Sequence, residues 1–231
     1  MGLRPGLFLL CCLTFASIVE LGASEENISG QLVITRTLTK QRVVLPTYQD
    51  RGVTLHKHEE VSGKSINEWD RVVVYLEGDR APRAVPISAM MSQHGEHFNP
   101  ELLIVPIGST VSFPNDDPIF HNVFSLSKVR EFDLGYYPAG ETRSVKFDKS
   151  GVVQIYCHLH PEMNASILVV PNAWYLRPTN QGAFSFSGIP AGSYQVVAWH
   201  RSAGFFRKQI QVPQTGAVKV SMEIPLGANE P

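Results

Sequence analysis

The stretch 157–163 has the sequence Cys-His-Leu-His-Pro-Glu-Met and joins two runs rich in β-branched residues, Gly151–Tyr156 and Ser166–Val170. Such runs predict two strands connected by a tight loop. The loop carries a thiolate, an imidazole and a thioether in the order C-x-x-H-x-x-M, at Cys157, His160 and Met163. Upstream, His121 offers a second imidazole in another strand-end loop. These side chains are ligands for a soft metal ion.

The cysteine count supports a role for Cys157. Arg4 and the apolar run Leu7–Val19 predict a signal peptide that ends near Ala23, and hence a periplasmic or otherwise secreted protein. Two of the three cysteines leave with this segment, so the mature chain cannot form an intramolecular disulfide. An unpaired thiol in an oxidising compartment is a liability unless a metal occupies it. The alternative is a buried, inert cysteine.

The composition favours a folded protein and excludes some partners. Hydrophobic residues make up 43% of the chain and charged residues 18%, so a sizeable core can form. The net charge of -1 gives no reason to expect nucleic acid or an anionic membrane as a partner. The leader is too short for a spanning helix, so no membrane span is expected in the mature protein.

Strand-forming runs bounded by Gly and Pro recur along the rest of the chain and predict an all-β protein. No long stretch has helical periodicity. The polar stretch 37–67 is predicted to be a long surface loop. The remaining predicted strands are 31–36, 71–76, 102–106, 110–113, 183–186, 194–199, 208–212 and 217–222.

The ligand types favour copper. Soft sulfur ligands stabilise Cu(I), whereas imidazoles also accept Cu(II), so a β-scaffold that holds one geometry suits electron transfer. His121, Cys157, His160 and Met163 are therefore the predicted ligands of one copper ion. Glu162 is an alternative to Met163 as the weak fourth ligand.

Residues 86–171 resemble a plastocyanin/azurin-type cupredoxin, and the short ligand loop is most similar to that of amicyanin. The resemblance implies a Greek-key β-sandwich, equatorial ligands His121, Cys157 and His160, and an axial Met163. It also implies that Asn115 ties the two ligand loops together, and that the backbone N–H of Asn122 points at the thiolate sulfur. The matching motifs are Phe98-Asn99-Pro100, 108–115 (GSTVSFPN), His121-Asn122-Val123, 132–135 (FDLG), 140–142 (GET), and Gly151 before Tyr156-Cys157.

The whole chain resembles methylamine-utilisation-like proteins, which join a cupredoxin to a transthyretin-like (carboxypeptidase-regulatory-like) segment. The motifs are 72–76 (VVVYL), 180–186 (NQGAFSF) and 189–194 (IPAGSY). Because the first of them precedes the copper block, we expect the cupredoxin to be inserted within a second small β-sandwich. The predicted divisions are a signal peptide 1–23, the first part of the second sandwich with its polar loop 24–84, the cupredoxin 85–172, the second part 173–226 and a tail 227–231.

The other histidines and acids have simpler interpretations. His158 is predicted to be exposed and to point away from the metal, since a second copper would need several more paired histidines. Asp116 and Asp117 are predicted to be turn-forming acids. No mechanism is assigned to Trp199-His200-Arg201. Four further histidines are interpreted either as surface residues or as a second metal site, and these are His56, His58, His94 and His97.

The leading hypothesis is a protein that is not an enzyme and carries single electrons between redox partners. The amicyanin resemblance implies partners such as a c-type cytochrome or a dehydrogenase. The alternative is copper sequestration or delivery. A copper oxidase or nitrite reductase needs an open position or a second copper, which four occupied positions do not leave. A structural role, with the copper block as a relic, predicts that function survives loss of Cys157.

Four apolar residues lie beside the predicted ligands in the sequence. They form either a docking rim or ordinary loop packing, and they are Ile119, Phe120, Leu159 and Pro161.

Overall fold

A computed structural model describes residues 26–35 and 67–226. These residues form strands and one short 3-10 helix, Glu68–Arg71, so the predicted all-β class is confirmed. Within these two ranges, no helix has both the length and the apolar character needed to cross a membrane. The predicted leader 1–23, the tail 227–231, and most of the loop 37–67 with His56 and His58 lie outside the described residues. The strands are β1 Glu26–Ile34, β2 Val72–Glu77, β3 Ser88–Met90, β4 Ser92–His94, β5 His97–Asn99, β6 Leu102–Pro106, β7 Ser109–Pro114, β8 His121–Ser127, β9 Arg130–Tyr137, β10 Thr142–Phe147, β11 Gly151–Tyr156, β12 Asn164–Val170, β13 Tyr175–Leu176, β14 Ala183–Ser187, β15 Gly192–His200, β16 Gly204–Val212 and β17 Val218–Ile224.

Strands β3 to β12 form one β-sandwich, which we call the first sandwich. One of its sheets has the strand order β10-β7-β3 and the other β6-β12-β11-β8-β9, while β4 and β5 form a separate hairpin. Alternate side chains of the two sheets point inwards, as the two-residue period of strands requires. They fill a buried core that includes Phe113, Phe147, Ile155 and Ile167.

Strands β1, β2 and β13 to β17 form the second sandwich, with the sheets β14-β1-β17 and β13-β2-β15-β16. β1 precedes the first sandwich in the chain, yet it pairs antiparallel with β14 and parallel with β17. β2 likewise pairs with β13 and β15. The chain therefore begins the second sandwich, builds the first, and then completes the second. The division points at 84/85 and 172/173, and the likeness to transthyretin, stay predictions.

The two sandwiches meet at a third apolar cluster. Alternate residues of β2 belong to different cores, since Val74 lies in the core of the second sandwich whereas Val73 lies in the shared cluster. β12 is divided in the same way, with Ile167 in the first core and Leu168 in the shared cluster. Strands buried on both faces have continuous apolar runs, which explains why both were recognisable in the sequence.

The sequence analysis does not predict β3, β4, β5, β8 and β13, nor the two longer strands β9 and β10. Most side chains of β9 are partly or fully exposed, and β10 buries only Val145 and Phe147. Polar residues interrupt both sequences, so neither has a continuous apolar run. They become strands because they pair with β8 and β7, respectively.

Candidate metal centre

The predicted ligands lie on two segments at one end of the first sandwich. His121 is the first residue of β8, Cys157 directly follows β11, and Met163 directly precedes β12. β11 and β12 pair antiparallel up to Tyr156 and Asn164, which close the base of the loop 157–163. β11 also pairs with β8, and this brings His121 beside the loop.

Three ligand atoms converge between these segments. Nδ1 of His121 is 3.1 Å from Nδ1 of His160, which is 3.8 Å from Sγ of Cys157. All three atoms lie within 4.8 Å of one another. Two donors on one ion, with bonds of about 2.0 to 2.3 Å, lie roughly 3 to 4 Å apart, so the spacing fits a bound ion. His121 and Cys157 are buried and His160 is partly exposed, so the imidazole of His160 is the ligand group nearest to solvent.

The fourth predicted ligand, Met163, is fully buried and belongs to the same core as Cys157. Its backbone N–H donates to the carbonyl of His160 at 2.9 Å, which closes a turn at the end of the loop. Glu162, the alternative fourth ligand, is exposed. Burial therefore favours Met163 over Glu162.

The carboxylate of Asp117 orients the ring of His121. Its Oδ2 lies 2.8 Å from Nε2 of His121, and both side chains are buried. Because a carboxylate accepts hydrogen bonds, Nε2 donates to Asp117, and Nδ1 is the nitrogen that faces the other candidate ligand atoms. The sequence analysis treats Asp117 as a turn-forming acid and misses this contact. The available signal was an aspartate four residues before a candidate ligand.

Asp117 is itself held by the hairpin turn between β4 and β5. Gly95 and Glu96 have φ values of 61° and 57°, as in a type I′ turn. Their backbone N–H groups donate to the Asp117 carboxylate at 2.6 and 2.9 Å. Burial acts to raise the pKa of Asp117, but the N–H of Glu96, the side chain of His121 and the N–H of Gly95 outweigh it, so the pKa lies below its usual value. The carboxylate is therefore ionised at neutral pH.

Asn115 shapes the segment that leads to His121. Its buried amide donates to the carbonyls of Ile119 at 2.8 Å and Tyr137 at 3.1 Å. Its carbonyl oxygen accepts from the backbone N–H of Asp117 at 3.1 Å. These bonds hold the 115–121 segment against β9. The predicted link from Asn115 to the second ligand loop stays a prediction.

Asn122 and His158 meet at Asp133 of β9. The buried Asn122 donates from its amide to Oδ1 of Asp133 at 2.7 Å, while Nε2 of His158 lies 3.7 Å from Oδ2. The exposed ring of His158 stacks on Phe124 with 3.8 Å between centroids. His158 therefore has partners on the surface and is not in the three-atom cluster. The predicted contact between the N–H of Asn122 and the thiolate stays a prediction.

The remaining described histidines do not extend the cluster. His94 and His97 face each other in the β4–β5 hairpin and are exposed, with Nδ1 of His94 3.8 Å from Oδ1 of Asp117. In ranges 26–35 and 67–226, the one group of three or more metal-binding side chains close enough to share an ion is His121, Cys157 and His160.

The two segments that carry the predicted ligands also carry exposed apolar side chains. Ile119 is 40% exposed, Phe120 56% and Leu159 46%, and Pro161 is also exposed. Two belong to the segment before His121 and two to the loop that carries His160. These side chains are thus accessible to solvent, and their role as a docking rim stays a prediction.

No protein-family model and no curated protein sequence matches this chain. Solved structures do match it, including a purple cupredoxin from Nitrosopumilus maritimus at 24% identity, which covers 36% of this chain and 99% of that one with a TM-score of 0.33. A copper-containing nitrite reductase from Thermus scotoductus matches at 25% identity over 42% of this chain and 25% of that one, with a TM-score of 0.35. A reduced amicyanin variant matches at 17% identity over 42% of this chain and 98% of that one, also with a TM-score of 0.35.

Proposed function

We propose that this chain binds one copper ion through His121, Cys157, His160 and Met163, and that it carries single electrons without acting as an enzyme. The main support is the convergence of two imidazole nitrogens and one cysteine sulfur within 4.8 Å at the end of the first sandwich. A thiolate and a thioether suit Cu(I), and the imidazoles also suit Cu(II). Zinc sites use Cys, His, Asp and Glu rather than a thioether.

The surrounding residues favour one ligand geometry. The Asp117 carboxylate holds the ring of His121 so that Nδ1 stays directed at the site. Burial of Cys157 and Met163 keeps water from the sulfur ligands, and such solvent exclusion tunes a redox potential. Copper, when bound, supplies a reversible one-electron couple. A ligand set that is held by the fold needs little rearrangement when the charge of the ion changes.

The burial of the sulfur ligands supports electron transfer rather than copper delivery. Delivery of copper needs a labile, accessible site, whereas Cys157 is 4% and Met163 0% exposed. The apolar rim around His160 suits brief docking, because small interfaces separate quickly. We propose a c-type cytochrome or a dehydrogenase as the partner, in the periplasm or another secreted location after removal of residues 1–23. We also propose that the second sandwich is transthyretin-like, as in methylamine-utilisation-like proteins.

The test uses protein lacking residues 1–23, titrated with Cu(II) and followed by visible and EPR spectroscopy. We expect one copper per chain and an intense thiolate-to-copper charge-transfer band, which Cys157→Ser abolishes. A copper-loaded but colourless wild-type protein would contradict the proposal. Reversible voltammetry of the loaded protein supports electron transfer, whereas binding without a reversible wave supports sequestration or delivery.

A further inference from the structure

The turn after β15 of the second sandwich lies against the base of the ligand loop. Arg201 is the first residue of this turn, and its backbone N–H donates to the carbonyl of Arg71 at 2.9 Å. The Arg201 backbone is thus held within the second sandwich. Its side chain reaches across to the first sandwich and is 9% exposed.

The guanidinium of Arg201 binds the start of β12. One terminal nitrogen donates to both the backbone carbonyl and the side-chain Oδ1 of Asn164, at 3.0 and 2.6 Å. Nε donates to the buried hydroxyl of Ser166 at 3.2 Å, and the other terminal nitrogen pairs with Glu101 at 2.6 Å. A guanidinium has its donors in a planar fork, so these bonds together define where Asn164 lies.

Asn164 connects the guanidinium of Arg201 to the ligand loop. It directly follows Met163, and its side-chain amide donates to the carbonyl of Glu162 at 3.0 Å. It also lies opposite Tyr156, the residue before Cys157. One residue held by Arg201 therefore contacts both ends of the loop 157–163.

Adhesion between the sandwiches does not explain this set of bonds. The shared apolar cluster, with Tyr75, Leu168 and Trp199, already joins the two sandwiches. Glu101 is 57% exposed, and exposed ion pairs contribute little to stability. Burial lowers the pKa of Arg201, although Glu101 partly offsets this. The guanidinium of Arg201 is largely removed from water. Its bonds to Asn164, at the end of the ligand loop, explain this burial better than adhesion does.

We propose that Arg201 is a positioning residue for the metal centre. Through Arg201 and Asn164, the second sandwich braces the C-terminal end of the loop 157–163 and so sets the position of Met163 relative to His121. This inference rests on the proposed function for the identity of the metal. It gives the second sandwich a role that the copper ligands alone do not explain.

The first test needs no metal. Hydrogen exchange of the metal-free protein is measured by mass spectrometry on a peptide that covers 157–164, in Arg201→Gln and in Arg177→Gln. Arg177 is the matched control, because it bonds the carbonyls of Asp70 at 2.6 Å and Leu102 at 2.9 Å and so bridges the sandwiches through residues other than Asn164 and the loop 157–163. We expect about tenfold faster exchange in Arg201→Gln alone, since bonds to a charged donor are lost. Unchanged exchange, or equal acceleration in both variants, would overturn the proposal.

The second test uses copper-loaded protein. Transfer of copper to a Cu(I) chelator under ascorbate should be about tenfold faster in Arg201→Gln, with a changed EPR spectrum, and both should be unchanged in Arg177→Gln. Arg201→Lys keeps the charge but not the fork, so we expect it to resemble Arg201→Gln, and full rescue would overturn the proposal. If the wild type shows no charge-transfer band, the proposed function fails, and the hydrogen exchange of the metal-free loop still decides the role of Arg201.

A third variant covers the case in which Arg201→Gln does not fold, as judged by circular dichroism. Asn164→Ala changes an exposed side chain and removes the bonds to Arg201 Nη2 and to the Glu162 carbonyl. It should accelerate exchange of the loop in the same direction but by less than tenfold, because the backbone carbonyl of residue 164 still accepts from Arg201. Hydrogen exchange at the wild-type rate in this variant would contradict the proposal that Arg201 positions the loop through Asn164.

Discussion

The segment 115–121, which carries His121, and the loop 157–163, which carries the other three predicted ligands, are held by different parts of the molecule. The first is held from within its own sandwich, by the buried amide of Asn115 and by the hairpin turn that binds Asp117. The second has an exposed base residue, Asn164, and is held by Arg201 of the other sandwich.

The ligands on the two segments are therefore positioned in two different ways. His121 is oriented as soon as the first sandwich folds, since all its described supports belong to that sandwich. The loop 157–163 is supported by its strand pairing and by the core of its own sandwich, but it also has contacts to Arg201 that form only when both sandwiches are complete. The predictions below test this contrast, beginning with the largest expected effect.

Asn115→Ala should lower the free energy of unfolding of the metal-free protein by about 2 to 4 kcal/mol. It removes three hydrogen bonds of a fully buried side chain and leaves the Tyr137 carbonyl and the Asp117 N–H without this partner. Urea denaturation followed by circular dichroism measures the loss. Asn164→Ala, at the exposed asparagine of the other segment, should cost about 1 kcal/mol or less. Equal losses in the two variants would contradict the comparison.

Asp117→Asn should weaken copper binding by about 10 to 100-fold, because the ring of His121 loses a charged acceptor that fixes its orientation. Competition with a chelator of known affinity measures the change. The matched control is Asp116→Asn, since Asp116 is the exposed neighbour. Similar affinities for the wild type and the Asp117 variant would show that Asp117 is not needed to orient the ring.

Met163→Leu should keep the copper and raise its reduction potential, because a weak axial donor disappears. The swap is nearly isosteric, so stability should change by less than about 1.5 kcal/mol. Met91→Leu is the control, as Met91 is fully buried in the same core. Voltammetry should show a shift for the Met163 variant alone. Complete loss of copper would mean that Met163 is more than a weak fourth ligand.

His158→Ala should have the smallest effect, about 0.5 kcal/mol of stability from the lost stacking on Phe124. The copper content and the charge-transfer band should stay unchanged, whereas His160→Ala should lose the band. A changed band in His158→Ala would show that this exposed histidine influences the metal directly.

Much of the candidate centre was predictable, because most of its predicted ligands are close together in the sequence. Cys157, His160 and Met163 lie on one short loop, and the strand that leads into it, Gly151–Tyr156, has the predicted bounds. His121 was proposed as the second imidazole from its place in an upstream loop, and the resemblance to a cupredoxin added its role as an equatorial ligand. The inserted order of the sandwiches followed from the resemblance to a transthyretin-like module, since its motif at 72–76 precedes the copper segment, and the pairing of β1 and β2 with later strands agrees with it.

The supports of the ligands were not predictable, because they depend on which distant segments meet. Asp117 looks like a turn acid until the β4–β5 hairpin is placed against it, 21 and 22 residues away in the chain. Arg201 follows a strand of the second sandwich and meets Asn164, 37 residues earlier. The sequence by itself determined which side chains can bind a metal and which runs become strands, since both follow from residue type and short spacing. The tertiary structure alone decided how those side chains are oriented, because orientation follows from strand register and from the packing of one sandwich on the other.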